Sequence, residues 1–172
     1  ILIQPPVYHP FFDAIACNGR FLVENPLKEI HYENEPGKIY YEIDFDDLEN
    51  KLNDVKMMIL CSPHNPVGRV WSKSDLERIG KLCKEKGVLI ISDEIHADLI
   101  YRPNTQIPFG SLSDFNDISL TCMAPSKTFN VAGLCASVII IPNDNLREKY
   151  SQTMWSCGIN LGNTFGNVVL ET

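Results

Sequence analysis

Val55-Lys56-Met57-Met58-Ile59-Leu60-Cys61 is a near-continuous apolar run, and Val88-Leu89-Ile90-Ile91 is a second. Short runs without alternation are the pattern of strands buried on both faces. The residues between them carry a different period. Leu76, Ile79, Leu82 and Cys83 recur at helical spacing, and Ser74 with Glu77 reads as a capping box at the start. Lys81, Lys84 and Lys86 gather near the negative end of that helix, and Gly87 stops it. Strand, helix and strand in this order make a right-handed parallel βαβ unit the default. The chain therefore reads as α/β, a three-layer α/β/α arrangement around a mostly parallel sheet.

Toward the carboxyl end, Ile118–Met123 and Ala136–Ile141 are two further strand-like runs, separated only by a loop of about a dozen residues. A parallel pair needs a crossover of at least ~10–12 residues including a helix, so the last strand is expected to run antiparallel to the one before it. Leu146, Tyr150 and Met154 mark a helix from about Asp144 to Trp155, and another begins near Thr164. Between Asp93 and Asp117 there is no strong period apart from a short apolar stretch near Ala97–Tyr101.

Toward the amino end, Ile1–Gln4 reads as a strand broken by Pro5-Pro6. Phe11, Phe12, Ile15 and Ala16 mark a helix near residues 8–18, closed by Asn18-Gly19, and Phe21–Val23 reads as a strand. The polar, turn-rich segment Asn25–Gly37 is expected to be a surface excursion. Asp44 with Asp47 starts a helix whose face is Phe45, Leu48 and Leu52. No internal repeat, low-complexity tract or second domain boundary interrupts the chain.

The 172 residues are about one domain's worth. With 15 basic against 22 acidic side chains and net charge −7, nucleic acid and anionic membranes are disfavoured partners. Apolar runs fall well short of the ~18 residues of a spanning helix, and no targeting signal opens the chain. Six scattered cysteines without a C-x-x-C pair read as buried thiols in a reducing, cytoplasmic setting. The chain opens inside a strand-like run and closes at Val168–Thr172 inside a helix-like one. The expectation is an internal piece of a longer polypeptide.

Chemistry concentrates where the strands end, since ligands of open α/β sheets sit in the crevice outside their carboxyl ends. Lys127, in Ala124-Pro125-Ser126-Lys127-Thr128-Phe129-Asn130, follows Ile118–Met123 directly. A lysine there can attack a carbonyl once a pocket desolvates its ammonium, although a surface lysine in a loop has the same local pattern. Asp93 follows Val88–Ile91. A carboxylate there can keep a pyridine nitrogen protonated, or it can cap the next helical segment. Asn65, in Asn65-Pro66-Val67-Gly68, can donate to a ring oxygen or simply form the turn. His96 can face the same crevice or be structural, and Tyr8 can stack on a planar ligand or pack in the core. Signatures of dinucleotide, P-loop, nucleophile-elbow and H-E-x-x-H sites are absent. Cys61-x-x-His64 is half a metal site without a partner, so no metal is expected.

Ser-Pro-His-Asn65-Pro66-Val-Gly68, Ser92-Asp93-Glu94-Ile95-His96 and Ser126-Lys127-Thr-Phe-Asn together resemble fold-type I pyridoxal-phosphate enzymes, the class I/II aminotransferase superfamily. Their order and spacing agree as well. The resemblance implies that residues 1–172 are the central part of the cofactor-binding large domain, with an N-terminal segment and a C-terminal small domain missing. It implies that Lys127 carries pyridoxal 5'-phosphate as a Schiff base, Asp93 pairs with the pyridinium nitrogen, Asn65 binds the ring oxygen and Tyr8 stacks on the ring. Where typical aminotransferases have tyrosine three residues after the aspartate, this chain has His96, and Asp-Glu-Ile-His looks like the cystathionine β-lyase branch. Ala124 and Cys135 stand where many relatives have a serine and an arginine on the phosphate, so Ser126 and segments outside this chain are expected to hold it.

The implied function is carbon–sulfur β-lysis of cystathionine or a related cysteine conjugate, giving thiol, pyruvate and ammonia. An aminotransferase is the alternative, and a non-catalytic module on the same fold is the third. A small amino-acid substrate and a homodimer of the full-length protein follow from the same resemblance.

Overall fold

The computed structural model describes residues 1–159 and 162–171. In chain order the elements are β1 (Leu2–Ile3), α1 (Pro10–Cys17), β2 (Val23–Glu24), β3 (Lys28–His31), β4 (Ile39–Glu42), α2 (Phe45–Lys51), β5 (Met57–Cys61), α3 (Lys73–Lys86), β6 (Leu89–Asp93), β7 (Ser119–Met123), β8 (Val138–Ile140), α4 (Asp144–Ser156) and α5 (Thr164–Glu171). Six strands form one sheet in the order β2-β1-β5-β6-β7-β8. Every neighbouring pair is parallel except β7 and β8, which pair antiparallel with Met123 opposite Val138. The short connection read from the sequence therefore has the direction its length demands.

Adjacent residues of a strand point to opposite faces, and the core divides accordingly. Leu2, Met58, Leu60 and Ile90 pack with Leu48 of α2 and with Leu76, Ile79, Leu82 and Cys83 of α3. Ile3, Ile59 and Cys61 pack on the other face with Phe11, Phe12 and Ile15 of α1. Helices thus cover both faces, as expected for an α/β protein. A helix as short as α3 is marginal in water by itself. Burying Leu76 and Ile79 completely, at about 1.5–3 kcal/mol each, is what fixes it to the sheet.

Three local expectations change. The capping box of α3 is Ser72 with Asp75, two residues before the pair read from the sequence. The Ser72 hydroxyl accepts from the Asp75 N–H, and the Asp75 carboxylate accepts from the Ser72 N–H. Ser74 and Glu77 match the same short pattern, but they lie inside the helix. Gly87 does end it, in the left-handed region at φ 64°.

The segment from Asn25 is a surface excursion with a buried root. It holds the antiparallel hairpin β3–β4, and Asn25 is fully buried. Its amide bridges the Gln4 side chain, the Asp44 carbonyl and the Asp47 carboxylate, so at Asn25 polarity meant an internal network, while residues 31–38 lie exposed at the surface as expected. The cysteines are free, but only Cys61 and Cys83 are buried. Cys122 is half-buried, while Cys17, Cys135 and Cys157 are exposed. The helix read near Thr164 is present as α5, and Thr172 lies outside the described residues.

Candidate active site

Register places the site. In the sheet Cys61 lies opposite Asp93, and Asp93 opposite Cys122, all at the carboxyl ends of β5, β6 and β7. The loops leaving these ends carry the remaining groups. After β5 the chain turns back at once. The His64 N–H donates to the Arg69 carbonyl at 2.8 Å and the Gly68 N–H to the His64 carbonyl at 2.8 Å. Gly68 closes this turn at φ 69°, where an L side chain is strained, and Asn65 stands within it. The Cys61 sulfur braces the turn, accepting from the Asn65 N–H at 3.4 Å and donating to the Pro63 carbonyl at 3.4 Å.

Beneath that turn lies His64, buried edge-on against Trp71 at 5.5 Å between ring centroids. Its Nε2 is 3.0 Å from the Pro6 carbonyl. A carbonyl only accepts, so Nε2 carries the proton. Burial pushes the His64 pKa down to about 4, so the ring is neutral at pH 7.

After β7, Phe129 N–H to Pro125 O at 2.9 Å closes one helical turn around Lys127, and Asn130 ends it at φ 55°. Thr128 ties this loop to the one after β6, donating to the Asp98 carboxylate at 2.8 Å.

One cavity of about 150 Å³ is lined by Tyr8, Asn65, Asp93, His96, Ser126 and Lys127, with Cys61, Ile95 and Ala132 completing it. All six residues singled out from the sequence meet there. The desolvation expected for Lys127 is not met within this chain, since the residue is exposed. Its ammonium makes no hydrogen bond or ion pair with another described residue. Tyr8 is 42% exposed and rests edge-on against Phe11 at 5.7 Å, so it is a wall of the crevice rather than a core residue.

Burial pushes the Asp93 carboxyl up, against the opposing pull of the Ile95 N–H at 3.2 Å and of His96. His96 is pushed down by burial and then by the Lys127 charge, with Asp93 opposing. Burial lifts the two flanking thiols to about 12 for Cys61 and about 11 for Cys122, which keeps both protonated.

Glu94 was not singled out from the sequence, although the site depends on it. It is buried, and it accepts from the Ser92 hydroxyl at 2.8 Å, the Phe109 N–H at 2.7 Å and Gln106 Nε2 at 3.3 Å. Gln106 also donates to the Ser62 carbonyl at 3.0 Å, so one carboxylate fastens the return of the β6 loop to the Asn65 turn. The signal was parity. Ile90, Ser92 and Glu94 are all buried, and the alternation runs one residue past the strand. Among the described residues no group of three His, Cys, Asp or Glu is placed to hold a metal ion, and no helix is long and apolar enough to cross a membrane.

A ring-sized crevice at the ends of parallel strands, with one carboxylate, Asp93, facing the same space as Lys127, places the chain among α/β proteins whose candidate site lies at the strand ends. Residues 1–157 match the family described as aminotransferase class I and II, and the chain belongs to that family. It is 50% identical over 174 aligned residues to cystathionine beta-lyase PatB of Bacillus subtilis (strain 168), covering 99% of this chain and 43% of that protein. It is 34% identical over 152 residues to protein MalY of Escherichia coli (strain K12), covering 87% and 37%. Among solved structures it superposes with TM-score 0.88 and 40% identity on cystalysin from Treponema denticola, which contains pyridoxal 5'-phosphate, covering 96% of this chain and 41% of that one. A PLP-bound putative aminotransferase from Clostridium difficile 630 gives TM-score 0.89 and 42% identity, covering 96% and 41%. The chain thus spans less than half the length of the relatives it matches.

Proposed function

We propose that the whole protein is a pyridoxal-phosphate-dependent carbon–sulfur β-lyase acting on cystathionine or a related cysteine conjugate. The observation that carries this reading is the meeting of Lys127, Asp93, Asn65, His96, Tyr8 and Ser126 around one cavity. Relatives named as cystathionine beta-lyase and cystalysin support it. Residues 1–172 are then the central part of the large domain, with the rest of that domain and a small domain supplied by other parts of the polypeptide. A homodimer and a cytoplasmic location belong to the same reading, and the six free thiols suit a reducing compartment.

The residues fit the cofactor. An apolar cavity of about 150 Å³ is known to take a benzene ring, so this one suits the pyridine half of the molecule. Asp93 is a half-buried carboxylate bonded to one backbone N–H and to no described Lys or Arg, and a cationic ring N–H would relieve the cost of its partial burial. The Asn65 side-chain amide makes no hydrogen bond to another described residue and is free to donate to a ring oxygen. Tyr8 would cover one face of the ring. Lys127 would hold the cofactor covalently through Nζ, and Ser126 would take part of the phosphate, since neither Ala124 nor Cys135 offers a cationic or hydroxyl group.

When bound, the cofactor supplies an electron sink for the charge left at the substrate's Cα. Lys127 would take the proton from Cα through its Nζ. Asp93 would hold its negative charge beside the sink, and His96, pushed toward its neutral form by burial, would line the same crevice. The Cβ–S bond then breaks with its electron pair going to sulfur. Net, one conjugate and one water give thiol, pyruvate and ammonium.

The second reading is an aminotransferase, favoured by the family description and by a 32% identical relative described as a probable kynurenine--oxoglutarate transaminase of Saccharomyces cerevisiae. Both reactions begin with loss of the same proton, so Lys127, Asp93 and Asn65 do not separate them. The whole protein is incubated with cystathionine and, separately, with an amino acid lacking a β-leaving group plus a keto acid. Pyruvate and thiol from the first with little amino-group exchange in the second is expected. The opposite pattern makes the protein an aminotransferase, and turnover of neither makes it a non-catalytic module.

A further inference from the structure

Lys127 lies in the stretch that runs from Ala124 to Ser137 between β7 and β8, and the pairing of Met123 with Val138 pins its two ends. Hydrogen bonds inside the stretch are local. The Phe129 N–H donates to the Pro125 carbonyl at 2.9 Å, the Val131 N–H to the Ser126 carbonyl at 3.1 Å and the Leu134 N–H to the Val131 carbonyl at 3.0 Å. They shape the loop as a unit but do not set its tilt against the sheet. The residue after the lysine makes a longer-range bond. The Thr128 hydroxyl donates to the Asp98 carboxylate at 2.8 Å, across 30 positions of sequence. Asp98 belongs to a stretch rooted in the site. The Ile95 N–H donates to the Asp93 carboxylate at 3.2 Å, the Ala97 N–H to the Glu94 carbonyl at 2.9 Å and the Leu99 N–H to the His96 carbonyl at 3.0 Å, successive turns that carry the chain from Asp93 past His96 to Asp98. The bond between Thr128 and Asp98 therefore closes a ring whose far side is the register pair Asp93–Cys122 in the sheet. Asp93, His96, Ser126 and Lys127 all belong to that ring, and all four line the cavity of the site.

We propose that Thr128 and Asp98 are positioning residues, and that their hydrogen bond sets where the Lys127 Nζ stands relative to Asp93 and His96. The inference rests on the reading of Lys127 as the residue that carries the cofactor and moves the proton at Cα. Both tasks depend on reach. In the first, Nζ forms a C=N bond to the aldehyde carbon of the cofactor, and the aldehyde oxygen leaves as water with the two amine protons. In the second, the same nitrogen must stand beside Cα. A misplacement of about 1 Å can cost on the order of a hundredfold in such steps. The chemistry of the pair suits the role. Asp98 accepts as an ion, and charge-assisted hydrogen bonds are the stronger kind. Its place suits it as well. Asp98 is exposed and Thr128 half-buried, so either can be altered without opening the core. Water competes for an exposed hydrogen bond, so this one adds little to global stability. Its loss should show in the placement of the lysine instead.

The test uses the whole protein, stripped of cofactor and then mixed with pyridoxal 5'-phosphate, with growth of the visible band reporting covalent capture by Lys127. Thr128→Val and Asp98→Ala should each slow capture at least about tenfold, while Thr128→Ser, which keeps the hydroxyl, should stay within about threefold of the parent. Urea unfolding of each variant reports that it is folded. On the loaded protein Thr128→Val and Asp98→Ala should lower kcat at least about tenfold with KM changed by less than about twofold, because the lysine acts after the substrate is bound. The double variant should be slower than the worse single variant by no more than about twofold, since the one bond is already gone. Unchanged capture in both single variants overturns the inference, even where their stability falls, for that is the mark of a merely structural tie. A loss that Thr128→Ser shares, or losses that multiply in the double variant, overturns it too. If the parent forms no visible band, or borohydride fixes the band on another lysine, the reading of the site fails and the inference with it.

Discussion

Acidification should loosen the protein through His64 before it touches most carboxylates. The ring lies buried against Trp71 with Nε2–H on the Pro6 carbonyl, and its pKa is held near 4 against an ordinary value of 6.5. In the unfolded chain the same imidazole takes up a proton as pH falls through 6.5, while in the folded chain it does so only near 4. The unfolded state therefore binds more protons across that window, and stability rises with pH there. The full difference is about 3 kcal/mol, at ~1.4 kcal/mol per pKa unit. Roughly 2 kcal/mol of it falls between about pH 7 and pH 5.

Other groups titrate in the same range, so the measurement is a difference. Urea unfolding of the whole protein is followed at both pH values, for the parent and for His64→Gln, whose amide can still donate to Pro6. The parent should lose about 2 kcal/mol more than the variant on acidification. Direct titration of the His64 ring protons by NMR should give a midpoint near 4. A midpoint near 6.5, or equal losses in the two proteins, would show that the ring is not buried neutral and would falsify the account of the Asn65 turn resting on it.

Borohydride should fix the visible chromophore of the whole protein onto Lys127, and peptide mapping of Lys127→Ala should find no adduct on another lysine. Asp93→Ala should retain some cofactor yet slow exchange of the substrate's α-proton at least about a hundredfold, or ~2.7 kcal/mol of barrier. Unchanged exchange would remove Asp93 from the ring's electronics. Gly80→Ala should destabilise the protein, because a Cβ there would lie 2.5 Å from the buried Phe115 ring. The overpacking cost of ~1–3 kcal/mol outweighs a helix-propensity gain of ~1 kcal/mol. Denaturation in a Phe115→Leu background should show the loss shrink, and a stabilised single variant would contradict the contact.

The fold was legible wherever one period dominated. The runs Val55–Cys61 and Val88–Ile91 gave parallel neighbours, and the short link before Ala136 gave the antiparallel one. The site was legible because its residues stand directly after apolar runs, where a polar side chain is costly unless it faces a crevice. Buried polar groups were not legible. Asn25 and Glu94 look like ordinary surface chemistry until their partners, Gln4 and Asp47 for one and Gln106 and Phe109 for the other, are brought in from distant positions. The capping box slipped by two residues because Ser72, Ser74, Asp75 and Glu77 satisfy the same pattern twice. Exposure of Lys127 was equally hidden, since it depends on how the loops fold over rather than on the residues beside it.

The antiparallel return of β8 has a consequence for how this scaffold can change. The Lys127 loop is pinched at its neck, where Met123 and Val138 pair in the sheet, and a turn inside it is closed by Pro125 and Phe129. An inserted residue there must break that pairing or rotate the lysine away from Asp93. Residues 94–118 leave and rejoin the sheet on parallel neighbours and are closed by side chains instead, Glu94 holding Gln106 and Phe109 while Asp98 holds Thr128 beside the lysine, so the stretch between Asp98 and Gln106 can change in length while the lysine stays in place. The wall around Leu99 and Tyr101 can thus be rewritten without displacing Lys127.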